Sequence, residues 1–324
     1  MKMKKMLAMM IVGSLMSIVT GCGDSNDSND KDVKEIAIVQ YMEHGSLDTI
    51  RENLIEELKA DGYVDGENII IDYQNSQGDQ SNLNSIAGKF KGSRPDVIIA
   101  IATPAAQSMA AAITDIPIIF SAVSDPLGAK LVTDMDSPAG NITGTSDILP
   151  MGETFEFIKE LTPDAKKIGF IYTSSEPNSQ SIIAEAKEMA ADYGLTYEEK
   201  TITTSTELQQ AAHALAGDVD IIYTPVDNTI ANAIPVLAEV GKTTKVPVYV
   251  GADSMVRQGG YASVSVDYAR LGEITGDMVI EVLEGKPVSE IPVRGLDEFA
   301  KVINKTTAEI VGAPGELEGA EIVE

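Results

Sequence analysis

The 324-residue chain has one cysteine, no tryptophan, two histidines and only 5% aromatic residues. A single cysteine excludes an intramolecular disulfide and a thiolate metal cluster. Positive charge is also scarce, because 24 basic residues against 50 acidic ones give a net charge of −26. Such a chain repels nucleic acid and anionic lipid headgroups, so the composition excludes a nucleic-acid-binding function.

The chain also lacks the motifs of several enzyme classes. It has no H-E-x-x-H, no G-x-S-x-G elbow, no P-loop and no G-x-G-x-x-G. His44 and His213 are far apart in the sequence and form no evident triad, and nothing singles out a glycosidase-like pair among so many carboxylates. The sequence therefore predicts a protein that is not an enzyme, with no catalytic residue, metal site or cofactor to assign.

The N-terminus has the pattern of an export signal. Three lysines among the first five residues precede an apolar run from Met6 to Val19, which is followed by Thr20-Gly21-Cys22. The run is too short to span a membrane comfortably, which favours a signal peptide over a transmembrane helix. Because the last residues resemble the lipobox of bacterial lipoproteins, we predict a signal peptide over residues 1–21 and lipidation of Cys22, at the outer face of the cytoplasmic membrane.

Residues 22–33 are predicted to form a disordered acidic tether. They contain the polar run GDSNDSNDKD, whose composition cannot form a packed core. The acidic spacing resembles a calcium loop, but Asn29 stands where such a loop needs a glycine for its sharp turn. A spacer is therefore favoured.

The stretch 97–126 is the most informative part of the chain. It begins with a buried strand and continues into Thr103-Pro104, where Thr suits a helix N-cap and Pro the first helical position. A second strand, Ile116–Phe120, leads into the polar turn Ser121–Pro126, which is predicted to open another helix. In a parallel sheet both turns lie at the carboxyl ends of neighbouring strands, where ligands bind. Two hydroxyl-bearing turns at helix N-termini predict a site for a small molecule with a negative group.

From Glu35 onward strands alternate with helices, and after Pro150 the same order restarts. This pattern predicts an α/β fold of two similar parallel-sheet lobes that face one another across a cleft and are joined by a multi-crossover hinge. The predicted first lobe is residues 34–147 plus about 265–292, and the second is 148–264 plus about 293–315. Residues 316–324 are predicted to be a frayed tail.

Several loop segments resemble the tryptophan/tyrosine-type, aromatic-amino-acid-binding lipoproteins of ABC importers. Glu43-His44-Gly45-Ser46-Leu47-Asp48 resembles the family's E-H-P-A-L-D stretch, with Gly45 and Ser46 in place of Pro and Ala. The other resembling segments are Ala102–Ala106, Ser121–Pro126, Tyr223–Asn228 and Val266–Gly272. The resemblance extends from Glu35 to about Pro314 and implies a type I periplasmic-binding-protein fold, an aromatic L-amino acid (Trp, Tyr or Phe) as ligand, and delivery to a membrane permease.

Polar residues at the predicted strand ends form the candidate ligand site. They are Glu43, His44, Ser46, Thr103, Ala105, Ser121, Val123, Ser124, Tyr172, Ser174, Asn178, Thr224, Asp227 and Asp253. The helix N-termini at Thr103 and Ser124 are predicted to hold a carboxylate. An ammonium group would be held by one of Glu43, Asp227 and Asp253, with the last two favoured.

Most of these residues also have a purely structural interpretation. Thr103 and Asp227 equally suit helix caps, and Asp125 suits a cap better than ligand contact. His44 equally suits a surface loop. Tyr172 and the other aromatic residues that end strands are favoured as core packing over ring contact with a ligand.

Together these features predict an extracytoplasmic solute-binding lipoprotein, monomeric, that closes two lobes over an aromatic L-amino acid for an ABC permease. One alternative is the same fold binding a branched-chain amino acid, a nucleoside or a sugar, although the scarcity of aromatic residues counts slightly against a sugar. The other alternative is a surface sensor or adhesin that uses the same cleft.

Overall fold

The computed structural model describes residues 33–324. The predicted signal peptide, Cys22 and nearly all of the predicted tether lie outside the described residues. Within residues 33–324, no helix combines the length and apolarity needed to cross a membrane, and no group of three or more His, Cys, Asp or Glu side chains is placed to hold a metal ion.

The first sheet has five parallel strands in the order β2-β1-β3-β4-β5. They are β1 (Lys34–Gln40), β2 (Ile69–Asn75), β3 (Val97–Ile101), β4 (Ile118–Ser121) and β5 (Ile142–Gly144). The helices of this lobe are α1 (Gly45–Ala60), α2 (Gln80–Ser93), α3 (Thr103–Ala112) and α10 (Tyr268–Leu283). Strand β3 is buried along its whole length, as its continuous apolar run predicts for a strand covered on both faces.

Helix α10 reaches the first lobe from late in the sequence and packs closely on α1. A Cβ atom at Gly272 would lie 2.6 Å from the Ile50 carbonyl oxygen, and one at Gly276 would lie 2.8 Å from Glu57 Cβ. Both distances are too short for a side chain, so these two glycines permit the close approach of the two helices.

The second sheet has seven strands in the order β12-β11-β10-β9-β8-β6-β7. They are β6 (Lys167–Thr173), β7 (Thr196–Ile202), β8 (Ile221–Thr224), β9 (Val248–Val250), β10 (Ala262–Ser265), β11 (Ala300–Asn304) and β12 (Ala320–Val323). The pair β10–β11 is antiparallel and the other pairs are parallel. The helices of this lobe are α4 (Met151–Leu161), α5 (Pro177–Met189), α6 (Leu208–Ala216), α7 (Asn228–Asn232), α8 (Ile234–Thr244), α9 (Asp253–Arg257) and α11 (Lys305–Val311). The predicted α/β class with two mostly parallel sheets is confirmed.

The chain passes between the sheets three times: after β5, after β10, and between α10 and β11. The first and third crossovers run side by side, because the Ser146 N–H donates to the Arg294 carbonyl oxygen at 2.7 Å. The first and second are joined by Tyr268, whose hydroxyl donates to Asp147 Oδ2 at 3.3 Å. The three connections therefore form one hydrogen-bonded hinge.

Two predictions about local structure are wrong. No helix follows β4: residues 126–130 form turns, because Asp125 Oδ1 accepts from the Gly128 N–H at 2.8 Å and closes the chain locally. The C-terminal residues are not all frayed, since β12 pairs in parallel with β11 from Lys301–Ala320 to Asn304–Val323. Its ladder hydrogen bonds fix a segment whose acidic composition suggested disorder.

Candidate ligand site

The loops that follow β1 and β8 meet between the lobes. His44, which is 7% exposed, places Nε2 3.0 Å from Asn228 Oδ1 in the other lobe. Asn232 Nδ2 donates to the Glu43 carbonyl oxygen at 2.7 Å, and Ser46 Oγ lies 2.8 Å from Ser254 Oγ. Burial lowers the pKa of His44, against the smaller opposing effect of its bond to Asn228, so the imidazole is neutral at pH 7.

Four buried side-chain atoms at the ends of strands lack a hydrogen-bond partner among the described residues. They are His44 Nδ1 and Thr103 Oγ1 in the first lobe, and Asn178 Oδ1 and Thr224 Oγ1 in the second. Buried polar atoms are nearly always paired, because an unpaired one costs about 1–3 kcal/mol. These atoms lie at the end of β8 or just after β1, β3 and β6, at the carboxyl ends of the two sheets, which is where open parallel sheets bind ligands.

Thr103 lies at the start of α3 in an unusual backbone environment. The preceding residue, Ala102, has φ 79° and ψ 153°, a conformation that is nearly restricted to glycine. Thr103 is the first residue of the helix and not its N-cap, and its hydroxyl makes no capping bond. The predicted capping role of Thr103 is therefore wrong. The N-terminus of α3, which includes the buried Ala105, has no side-chain cap and keeps its positive end available for an anion.

A buried carboxylate that the sequence reasoning missed lies beside the hinge. Asp147 is 2% exposed, and it accepts from Ser124 Oγ at 2.8 Å and from Tyr268 OH at 3.3 Å. Within the described part of the chain no cationic side chain pairs with it, and burial raises the pKa of its carboxyl group. Asp147 lines an interlobe cavity of about 200 Å³ together with Tyr223, Val226 and eight other residues.

Two further buried carboxylates support the second lobe. Asp227 accepts from the Thr173 N–H and hydroxyl, from Ser179 Oγ and from the Ile230 N–H, at 2.7–2.9 Å. Glu176 accepts from the N–H groups of Asn228 and Thr229 and from both their side chains. Burial, assisted by the nearby Asp227 charge, raises the pKa of Glu176 to about 7, and burial also raises the pKa of Asp227. Since protein donors occupy Asp227, we assign it as the N-cap of α7 and not as an ammonium ligand.

Comparison with known proteins places this architecture in a family. Residues 35–313 match the model of the ABC transporter substrate-binding protein family. The chain is 42% identical, over 94% of its length and 92% of the relative's, to a tyrosine-binding protein of Clostridioides difficile (strain R20291). It is also similar, with TM-score 0.84 and 39% identity over 87% of this chain and 95% of the other, to a Streptococcus pneumoniae ABC domain in complex with L-Trp. The chain belongs to the ABC transporter substrate-binding proteins.

The arrangement of the two lobes is more similar to that of a relative in complex with L-Trp than to that of an open relative. A substrate-binding protein with adhesive properties from Clostridium difficile, in a ligand-free, open structure, is 38% identical over 90% of this chain and 99% of its own. Its TM-score is only 0.70, against 0.84 for the L-Trp complex at almost the same identity. Sequence divergence does not account for the difference, and hydrogen bonds join the two lobes directly, so the lobes of this substrate-binding protein lie closed on one another.

In this closed arrangement several predicted site residues form hydrogen bonds to other residues of the protein. Ser121 Oγ bonds to Thr145 and Thr275 inside the first lobe, and the Val123 N–H donates to the Thr145 carbonyl oxygen at 3.3 Å. Ser124 is not at a helix N-terminus, and its hydroxyl donates to Asp147. The donors of these three residues are therefore engaged within the protein and not available for the predicted ligand contacts.

The remaining predicted residues lie apart from the four unpaired atoms. The side chains of Glu43 and Ser174 are exposed, and Ser174 Oγ donates to the Ile202 carbonyl oxygen. Tyr172 donates to Glu199 on the outer edge of the second sheet. Asp253 pairs with Arg257 at 3.3 Å and lines a separate cavity of about 550 Å³ that also includes Ser46. Thr103 and Thr224 are not among the residues that line this cavity.

Proposed function

We propose that this substrate-binding protein captures an aromatic L-amino acid between its lobes and delivers it to an ABC permease. The four unpaired polar atoms carry the proposal, since each lobe contributes two of them at the carboxyl end of its sheet, where the contact between His44 and Asn228 joins the two lobes. The ligand class is supported by two relatives, one named as tyrosine-binding and the other crystallised with L-Trp.

The chemistry of the cleft suits a zwitterion with a ring. The Thr103 hydroxyl and the uncapped N-terminus of α3 offer donors to a carboxylate. Asn178 Oδ1 is an acceptor and suits an ammonium group. The interlobe cavity supplies apolar walls from Ile182, Tyr223 and neighbouring residues, where an aromatic ring can be buried.

We also propose how the protein is held at the membrane. Lipidation of Cys22 after removal of residues 1–21 would anchor it at the outer face of the cytoplasmic membrane, as a monomer beside its permease. The family is one of solute-binding proteins, which supports a role without catalysis. Globomycin treatment of cells, which blocks lipoprotein signal peptidase, would leave the precursor uncleaved; processing that is unaffected would refute the anchor.

Thermal unfolding of the chain from residue 22 onward, with Cys22→Ser, tests the ligand class. A ligand at a hundredfold excess over its dissociation constant adds about 2.7 kcal/mol and raises Tm by several degrees. We expect this shift with L-Trp, L-Tyr or L-Phe and none with L-Leu, adenosine or myo-inositol. A shift with one of the latter three and not with the aromatic amino acids would keep the fold and discard the ligand class.

A second candidate function is adhesion, which the relative with adhesive properties favours. If the cleft serves adhesion, Thr103→Trp, which fills the cleft, should abolish attachment of the protein to host cells as well as amino-acid binding. Attachment that survives this variant would assign adhesion to another surface.

A further inference from the structure

We propose that Asp147 is the counter-charge for the ammonium group of the ligand, and that it selects amino acids over aromatic acids that lack the amine. This inference rests on the proposed function and names a residue of the cleft for a specific part of the ligand.

Asp147 is buried with incomplete pairing. A carboxylate has about four acceptor positions, and the described residues supply three donors, the hydroxyls of Ser124 and Tyr268 and the backbone N–H of Asp147 itself. All three donors are neutral, and no described cation pairs with the carboxylate. Buried charges in proteins are normally paired with an opposite charge, because desolvation is otherwise uncompensated. An ammonium group in the adjoining cavity would supply both the charge and the missing donors.

The other acidic side chains near the cleft are already engaged or exposed. Protein donors surround Asp227 and Glu176. Asp125, which lines the same cavity, accepts from the Gly128 N–H and from Ser181 Oγ. Asp253 is paired with Arg257, and Glu43 is exposed. Glu185, which also lines the cavity, is exposed. Asp147 is therefore the buried carboxylate in the cavity wall that a ligand cation can still satisfy.

The cavity that Asp147 lines is connected to Asn178 of the second lobe through Val226. Asp147 and Val226 line the same cavity, and the Val226 carbonyl oxygen accepts from Asn178 Nδ2 at 2.8 Å. An ammonium group between Asp147 and Asn178 Oδ1 would bridge the first crossover to the second lobe. Tyr268, on the second crossover, is a positioning residue that orients the carboxylate through its hydroxyl.

The test compares an amino acid with its desamino analogue. Isothermal titration calorimetry would give dissociation constants of L-Tyr and 3-(4-hydroxyphenyl)propionate, and of L-Trp and indole-3-propionate, for the parent (Cys22→Ser) and for Asp147→Asn. Because removal of one partner of a buried ion pair is costly, Asp147→Asn should weaken amino-acid binding at least about 30-fold. Binding of the desamino analogue should change less than about threefold, since that ligand has no ammonium group. Glu156→Gln, an exposed change of the same charge on α4, is the matched control.

The two readouts separate the possible outcomes. Equal losses for both ligands would make Asp147 a structural residue, and an unchanged amino-acid affinity would remove it from the site; either result overturns the inference. If the parent binds no aromatic amino acid, the proposed function fails first. The same comparison then applies to any other amino acid that binds, and the inference falls if none does. If Asp147→Asn does not fold, Tyr268→Phe replaces it, with a several-fold loss of the preference for the amino acid expected.

Discussion

Replacement of Thr103 by valine should separate stability from binding. Thr103 is 2% exposed and its hydroxyl has no partner among the described residues, so the protein without ligand leaves a buried donor and acceptor unsatisfied. Valine has nearly the same shape and removes the hydroxyl. The free energy of unfolding without ligand should therefore stay the same or rise, by up to about 1–3 kcal/mol, the cost of an unpaired buried polar group.

Ligand affinity should respond in the opposite direction. A hydrogen bond to a charged group contributes about 1.5–3 kcal/mol, so loss of the bond from Thr103 to the ligand carboxylate should raise Kd about 10- to 150-fold. Urea unfolding without ligand and calorimetric titration with the amino acid measure the two quantities on the same protein.

Thr275→Val is the matched control, because Thr275 Oγ1 donates to the Leu271 carbonyl oxygen and lies 2.8–2.9 Å from Ser121 Oγ and Thr145 Oγ1. This variant should lose about 1–3 kcal/mol of stability, since it leaves buried partners unpaired, and should keep its ligand affinity. If Thr103→Val is destabilised without ligand and binds the amino acid as tightly as the parent, the hydroxyl is structural and the reasoning about the site is wrong.

Three further predictions concern the lobes and their contact. The pKa of His44 is lowered by burial, so the unfolded chain binds more protons in acid and the free energy of unfolding should fall as the pH drops below about 6.5. His44→Gln should reduce the loss of unfolding free energy between pH 7 and pH 5, as measured by urea unfolding, whereas the control His213→Gln, at an exposed position, should not. If the unfolding free energies of the two variants depend on pH with the same slope, this prediction is contradicted. Asp227→Ala should cost about 3–5 kcal/mol of unfolding free energy, because it leaves four buried donors unpaired, and a loss below about 1 kcal/mol would show that these bonds contribute little. Gly45→Ala would place a Cβ atom 3.0 Å from Ser254 Cβ in the other lobe, so it should hinder closure of the lobes. The ligand-induced decrease in radius of gyration, measured by X-ray scattering, should then be smaller than in the parent. A decrease as large as that of the parent would show that the neighbouring atoms move aside to accommodate the methyl group.

The candidate site residues that the sequence could identify are those whose location depends on the nearby order of strands and helices. His44, Thr103, Asn178 and Thr224 each follow a strand of recognisable pattern, and in a parallel sheet the position after a strand fixes which edge a side chain occupies. Their assignment to the ligand remains a prediction, but their location at the carboxyl ends of the two sheets follows from the strand–helix alternation alone.

The errors in the predicted site occur where a local pattern fits two structural roles equally well, or where the hydrogen-bond partners of a residue are distant in the sequence. Asp227 suits both a cap and a ligand contact, and only the donors from Thr173 and Ser179 show that its oxygens are occupied. Asp147 follows a short strand and carries no motif. Its environment is created by Tyr268, which is 121 residues away in the chain, so sequence spacing gave no signal.

Neither lobe is a continuous piece of chain, and this has a consequence for folding during export. Helix α1 exposes Ile50 and Leu54 until α10 covers them, so the first lobe cannot complete its core before residue 283 has been synthesised. The second sheet needs β12, which ends at Val323, to cover the edge of β11. The order of the elements therefore delays stable folding until almost the whole polypeptide is available, and a chain that is still being made stays loose enough to be threaded through a narrow secretion channel.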